Sequence, residues 1–247
     1  MPQLIVRSLL LACVVLTSAG RVWAQPGATG PIADLNARAK ALSETNPDES
    51  LRVAQQALTA AREAGDLRGQ AEALNYVAYG YRNQSLLDTA RHQTLESIRL
   101  YVEAGDAWGE AQGYNTLGLI EADAGHFPEA LEAHLKALGI RERTGDREGL
   151  AYSFNNLGNN YRNLGQYARA IEYHQKGLNI KVELGMRSSE AYSHHNMGLI
   201  YFAMKDYPRA IAAYQRALAI REELKDPRGI AVCLNAIGQV EAVTRPA

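Results

Sequence analysis

Cysteine is nearly absent from this sequence, with only Cys13 and Cys233 among 247 residues. Cys13 lies in an N-terminal segment that we expect to be removed, which leaves Cys233 without a partner for a disulfide within the chain. Stability must therefore come from packing. Because Cys233 falls in a series of small residues spaced 40 positions apart, we interpret it as a buried, unreactive thiol at a tight helix contact.

Large aromatic residues and clustered positive charge are also scarce. The chain contains three Phe and two Trp beside thirteen Tyr, and its formal net charge is -1. Surfaces that bind nucleic acid or anionic lipid need clusters of Lys and Arg, and no such block occurs in the sequence. We therefore expect neither nucleic acid nor a lipid surface as a partner.

The longest apolar stretch lies near the N-terminus and is too short to cross a membrane. Arg7 precedes an uncharged run over residues 8–20, centred on LLLACVVL, and the sequence VWA follows. A spanning helix needs about 20 residues, whereas this order of segments is typical of a signal peptide with a small-residue cleavage site. We predict that residues 1–24 are removed after Ala24 and that the protein is exported to the periplasm or secreted.

Two alternatives remain open for this segment. It could stay attached as a membrane anchor, in which case membrane contact would be limited to the uncleaved signal segment. It also loosely resembles a lipoprotein signal in the sequence LLAC, although Cys13 lies inside the apolar run rather than after it.

The remaining sequence repeats itself every 40 residues. A shift of that length aligns Gly65 with Gly105, Gly145 and Gly185. A fixed period means that neighbouring units bury one another's apolar faces, so we predict a single domain. The predicted divisions are a Pro- and Gly-rich flexible linker at residues 25–31, a periodic region over 32–243 with a degenerate repeat at 32–64, four regular repeats at 66–105, 106–145, 146–185 and 186–225, and a capping helix at 228–243.

Each regular repeat is predicted to contain two helices, A and B. The repeats begin at Gly-Asp steps such as Gly145-Asp146, where Gly can adopt the left-handed conformation that closes one helix and Asp can cap the next. The last boundary, Asp226-Pro227, places Pro at the first helical position, where its missing N–H has no cost.

The segment over residues 151–181 carries a known motif. Phe154, Leu157, Gly158 and Tyr161 are followed by Ala170, with His174 in the last aromatic position. This pattern resembles the tetratricopeptide repeat (TPR), and the 40-residue period is similar to the repeats of kinesin light chains and of bacterial sensor and adaptor proteins. The resemblance implies an all-α fold, a right-handed superhelical solenoid of antiparallel helix pairs with about five repeats and a C-terminal capping helix.

In proteins of this kind, helix A of each repeat lines a concave groove that binds an extended peptide or a segment of a partner protein. An Asn amide offers both a donor and an acceptor, so a ladder of Asn side chains can pair with a peptide backbone. The alternative is that these amides brace neighbouring helices. The candidate groove residues are the ladder Asn75, Asn115, Asn155, His195 and Asn235, with Tyr79, Asn159, Arg82, Arg162, Tyr152 and Tyr192 beside it.

Arg82 and Arg162 could receive a carboxylate of the ligand and add a modest preference for acidic partners. The pattern of Lys and Arg by which chaperone adaptors of this family hold a terminal carboxylate is absent, so we do not expect that specificity.

The histidines do not indicate a metal site. His134 and His174 occupy a helix B position that is usually aromatic and packed, and the adjacent His194 and His195 point about 100° apart on a helix. No Cys or carboxylate cluster stands at metal-ligand spacing, and no nucleophile elbow or phosphate loop occurs. We therefore expect no metal, no cofactor and no enzymatic activity.

Two functions fit these features. One is an exported, non-enzymatic scaffold that binds a peptide or protein segment in its concave groove. The other is the periplasmic sensory region of a truncated or divergent bacterial signalling protein, of the diguanylate cyclase or histidine kinase type. The sequence itself names neither the partner nor the oligomeric state.

Overall fold

The structure, a computed structural model, describes residues 30–245. The predicted signal peptide at residues 1–24 and most of the predicted linker lie outside the described residues. Pro31, the last residue of the predicted linker, is already the first residue of a helix. Proline is well suited to that position, since its φ is preset for a helix and the first N–H has no intrahelical partner.

Residues 30–245 are entirely helical apart from short turns, and the expected all-α array of helix pairs is confirmed. Most helices are four to five turns long and alternate in direction through turns of a few residues. The helices are α1 (Pro31–Leu42), α2 (Pro47–Ala64), α3 (Leu67–Asn83), α4 (Leu87–Glu103), α5 (Ala107–Asp123), α6 (Phe127–Thr144), α7 (Arg147–Asn163), α8 (Tyr167–Glu183), α9 (Arg187–Ala203), α10 (Tyr207–Glu223) and α11 (Pro227–Thr244).

The first helix of each pair packs against the first helices of the neighbouring pairs. Contacts join α1 to α3, α3 to α5, α5 to α7 and α7 to α9, in addition to the contacts between helices that follow one another along the chain. In a curved stack, the layer whose members touch from pair to pair lies on the inner side of the curve. The odd-numbered helices therefore form the wall of the groove.

Glycine and aspartate define the junctions between pairs. Gly65, Gly105 and Gly145 adopt left-handed φ values of 65°, 66° and 70°. The following Asp66, Asp106 and Asp146 each accept a hydrogen bond from the backbone N–H three residues later, at 2.9 Å. These contacts satisfy groups that every helix end otherwise leaves without an intrahelical partner.

Within the pairs, small residues on the odd-numbered helices face rings on the even-numbered ones. Gly118 packs on His134, Gly158 on His174, and Gly198 on Tyr214. Both histidines are buried, as their position in helix B predicts. In the described part of the chain, no cluster of three His, Cys, Asp or Glu side chains could hold a metal ion.

None of the described helices combines the length and apolar character that a membrane span requires. Cys233 is buried, and burial raises the pKa of its thiol above the ordinary value. A thiol that is both inaccessible and protonated is a poor nucleophile, which agrees with the structural role expected from the sequence.

Candidate binding groove

The central asparagines of the ladder, Asn115 and Asn155, lie on the odd-numbered helices that form the groove wall and also join those helices. Asn156 Nδ2 donates to Asn115 Oδ1 at 2.7 Å, and Asn196 Nδ2 donates to Asn155 Oδ1 at 3.4 Å. Each bond joins one odd-numbered helix to the next. The amide oxygens thus hold neighbouring repeats together, while the amide nitrogens of Asn115 and Asn155 are not used in these bonds. Their role in recognition stays a prediction.

The outer members of the ladder lack this pairing. Thr116 stands where a bracing Asn would reach Asn75, and Asn75 Oδ1 is buried without a hydrogen-bond partner among the described residues. His195 lies half-buried with its ring 5.3 Å from that of Tyr214, and burial lowers its pKa. Asn235 on α11 is exposed. The hydrogen-bonded series is therefore continuous only over α5, α7 and α9, and Asn196 rather than His195 is its member on α9.

A cavity of about 330 Å³ lies between α7 and α9. The structure brings four of the predicted groove residues together in its wall. Two of them are the tyrosines at its edge, since Tyr152 is 43% exposed and Tyr192 is 55% exposed. Seven residues line the cavity: Tyr152, Asn155, Asn159, Lys181, Ser189, Tyr192 and Asn196.

Arg82, which the sequence proposes as a receptor for a ligand carboxylate, uses one of its guanidinium nitrogens in an ion pair within the protein, and its role in binding stays a prediction. Its Nε lies 2.6 Å from Asp123 Oδ2, and its guanidinium lies 5.5 Å from the centre of the Tyr79 ring. Arg162 is half-buried and donates to the neighbouring Asn163 at 3.4 Å. Tyr79 and Arg82 lie in an earlier repeat, so they do not contribute to the cavity between α7 and α9.

Sequence reasoning missed Lys181, which lies in the last turn of α8 and contributes to the cavity wall. Only 2% of this residue is exposed, and its Nζ donates to Ser193 Oγ at 2.7 Å. Burial lowers the pKa of the Lys181 ammonium to about 8. The available signal was a break in periodicity, since Ser189 stands where the other repeats have Gly.

A family model described as tetratricopeptide repeat matches residues 109–181 and 189–243, just over half of the chain. The chain belongs to the tetratricopeptide repeat family. The resemblance found in residues 151–181 is thereby confirmed, and the matched stretches include all seven residues that line the cavity. No curated protein sequence matches the chain.

Several solved structures have similar folds, at identities that establish the fold alone. BtubC (BKLC) from P. vanneervenii is 21% identical, with a TM-score of 0.66 over 87% of this chain and 84% of that one. A Rap protein in complex with the competence and sporulation factor is 17% identical, with a TM-score of 0.74 over 86% of this chain and 63% of that one. A putative kinesin light chain from Podosopora anserina is 15% identical, with a TM-score of 0.62 over 78% of this chain and 96% of that one.

Proposed function

We propose that this TPR protein is a non-enzymatic interaction scaffold whose groove binds an extended segment of a partner protein across α5, α7 and α9. The observation that carries the proposal is the cavity between α7 and α9, where predicted groove residues converge beside two exposed tyrosines. Tyrosine supplies a large, rigid contact area at low cost in conformational entropy and is enriched in protein interfaces. The fold neighbour solved with the competence and sporulation factor supports a binding role for arrays of this shape.

The tyrosines give the sharpest test of this function, because changing Asn115 or Asn155 would also remove a bond between helices. We expect the double variant Tyr152→Ala/Tyr192→Ala to lose capture of partner proteins from the extract of the source cells by at least about tenfold, a loss that corresponds to about 1.4 kcal/mol. Both side chains are about half exposed, and the Tyr192 ring also lies 4.7 Å from the Arg221 guanidinium. The melting temperature should therefore fall only modestly, since such a contact is worth about 0.5–1 kcal/mol at an exposed site.

The matched control replaces two apolar side chains on even-numbered helices. Leu95 on α4 is 49% exposed and Leu135 on α6 is 42% exposed, so Leu95→Ala/Leu135→Ala removes a similar kind of surface outside the groove. Proteins that bind through the groove should remain captured by this control. Equal loss in both double variants would contradict the assignment of binding to the groove.

We further propose that the protein acts outside the cytoplasm, on the basis of the signal-like sequence in residues 1–24. After expression in the source organism, the mature chain is expected to begin at Gln25. Mass spectrometry of the intact protein from periplasmic and cytoplasmic fractions measures this directly. Recovery of the chain beginning at Met1 from the cytoplasm alone would rule out export.

A further inference from the structure

A buried basic side chain recurs near the end of three successive even-numbered helices. Arg141 on α6 and Lys181 on α8 are each 2% exposed, and Arg221 on α10 is 5% exposed. They are spaced 40 residues apart and therefore occupy equivalent places in their repeats. A buried charge is costly unless another group compensates it, so the partners of each member can be compared directly.

Both arginines lie beside a carboxylate, which belongs to the Asp that caps the next helix. Arg141 Nε lies 3.7 Å from Asp146 Oδ2, and Arg221 Nη1 lies 3.2 Å from Asp226 Oδ2. Arg141 has further partners, because its guanidinium donates to Gly149 O, Ser153 Oγ and Gln112 Oε1 at 2.7–3.1 Å. The Arg141 guanidinium therefore bonds to residues of both α7 and α5.

Lys181 lacks the equivalent carboxylate. Met186 stands at the junction position that holds Asp146 and Asp226 in the neighbouring repeats. Ser193 accepts one bond from the ammonium, which has three donors. Within residues 30–245, no carboxylate lies at ion-pair distance from Lys181 Nζ. The positive charge is therefore buried without an opposite charge.

The same substitution leaves the start of α9 uncapped. In α3, α5, α7 and α11, a junction Asp accepts a hydrogen bond from the N–H three residues later, whereas Met186 at the start of α9 provides no side-chain acceptor. The corresponding N–H in α9 belongs to Ser189, which lines the cavity together with Lys181. A helix N-terminus carries a partial positive charge, so both features favour an anion in one place.

We propose that the cavity between α7 and α9 binds the carboxylate of a Glu or Asp side chain in the partner segment, which replaces the acid absent at Met186. This inference rests on the proposed function and names the chemistry that the groove recognises. Lys181 Nζ and the N–H of Ser189 are the charged and dipolar donors, and the amides of Asn155, Asn159 and Asn196 line the remaining wall. In the preceding and the following repeat, a carboxylate lies beside the basic residue that corresponds to Lys181.

The decisive variant is Met186→Asp, which supplies the missing acid from within the chain. The ionisation of Lys181 is followed by ¹³C NMR of its ε-carbon, with acetate and two blocked peptides, Ala-Ala-Glu-Ala-Ala and Ala-Ala-Gln-Ala-Ala, as probes at constant ionic strength. In the wild type, acetate and the Glu peptide should shift the Lys181 signal saturably and raise its pKa. The Glu peptide should bind at least about tenfold more tightly than the Gln peptide, as expected for a bond to a charged group.

In Met186→Asp, the pKa of Lys181 should be raised before any ligand is added, the melting temperature should rise, and acetate and the Glu peptide should lose at least about tenfold in affinity. The control Met204→Asp adds the same charge at a residue that is 42% exposed in the turn after α9. It should retain the wild-type response, and an equal loss there would overturn the proposal.

Two other outcomes also overturn it. If Lys181 does not respond to acetate or to either peptide, the cavity is not a carboxylate site, even where Tyr152 and Tyr192 still govern capture of partner proteins. If acetate binds but the Glu and Gln peptides do not differ, the site takes free small anions rather than an acidic side chain. Conversely, a normal acetate response with no effect of the tyrosine variant contradicts the proposed function alone.

Discussion

Acidification is expected to destabilise the folded chain steeply between pH 6.5 and pH 4, chiefly because two buried histidines must remain neutral. Burial, assisted by the charge of Arg141, lowers the pKa of His134 to about 4. Burial, assisted by the charges of Lys181 and Arg162, lowers the pKa of His174 to about 3. In the unfolded chain both rings take up a proton near pH 6.5.

The direction of the pH dependence of stability follows from the lowered pKa values of the two histidines. Well above pH 6.5 both rings are neutral in the folded and the unfolded chain, so their contribution to the free energy of unfolding is complete. As the pH falls through the window, only the unfolded chain binds protons, which favours unfolding. Each histidine contributes a loss of about 1.4 kcal/mol per pH unit, or about 2 kcal/mol at pH 5.

Urea unfolding at pH 7, 6 and 5 measures this dependence. The double variant His134→Phe/His174→Phe should unfold with a much smaller pH dependence, since the equivalent position in the next pair already holds an aromatic ring, that of Tyr214, against Gly198. Replacement of the exposed His92 by Gln provides the control and should leave the wild-type slope. A double variant that keeps the full slope would show that other groups control the acid sensitivity.

The fold was predictable because its determinants are local and repeated. A Gly-Asp step fixes a left-handed turn and a helix cap within four residues, and the structure shows both at Gly65-Asp66, Gly105-Asp106 and Gly145-Asp146. The 40-residue period then specifies which faces are buried, because each unit must pack on its neighbours. Sequence periodicity therefore carried most of the information needed for the helices.

The candidate site was less predictable because its contacts cross from repeat to repeat. The pairing of Asn156 with Asn115 joins residues 41 positions apart, and the pairing of Arg82 with Asp123 does the same. An alignment in steps of 40 does not place such residues opposite one another. The environment of Lys181 left a trace in the sequence, since Met186 replaces an otherwise recurrent Asp, but only the structure shows that the lysine is buried beside a cavity.

Replacing Gly158 by Leu should cost about 1–3 kcal/mol or more of stability. A β-carbon built on Gly158 would lie 2.7 Å from the Cδ2 and Nε2 atoms of His174, closer than packed atoms approach. His174 is fully buried and cannot turn aside into solvent. We therefore expect α7 and α8 to be forced apart, with a lower melting temperature measured by circular dichroism.

Gly139 on α6 provides the matched control for this substitution. It is also a helical glycine, but a β-carbon there would meet no atom within 4 Å. Leu favours a helix over Gly by up to about 1 kcal/mol, so Gly139→Leu should leave stability unchanged or raise it. Similar losses at both positions would mean that the cost reflects the loss of glycine itself rather than contact with His174.

Another repeat of the chain fills the same helix contact with a different pair of side chains, and this pair suggests a double-mutant cycle. In the first regular repeat, Ala78 and Thr94 occupy the places of Gly158 and His174, and both are fully buried. Gly158→Ala alone should therefore be destabilising, whereas Gly158→Ala combined with His174→Thr should recover part of the loss, because the added methyl group then faces a smaller side chain. A coupling energy of about 0.5–3 kcal/mol would confirm that these two residues set the spacing of α7 and α8. Additive losses would instead show that the glycine and the histidine act independently. In that case, the packing of a small residue on one helix against a large ring on the next does not determine how closely the two helices of each pair approach.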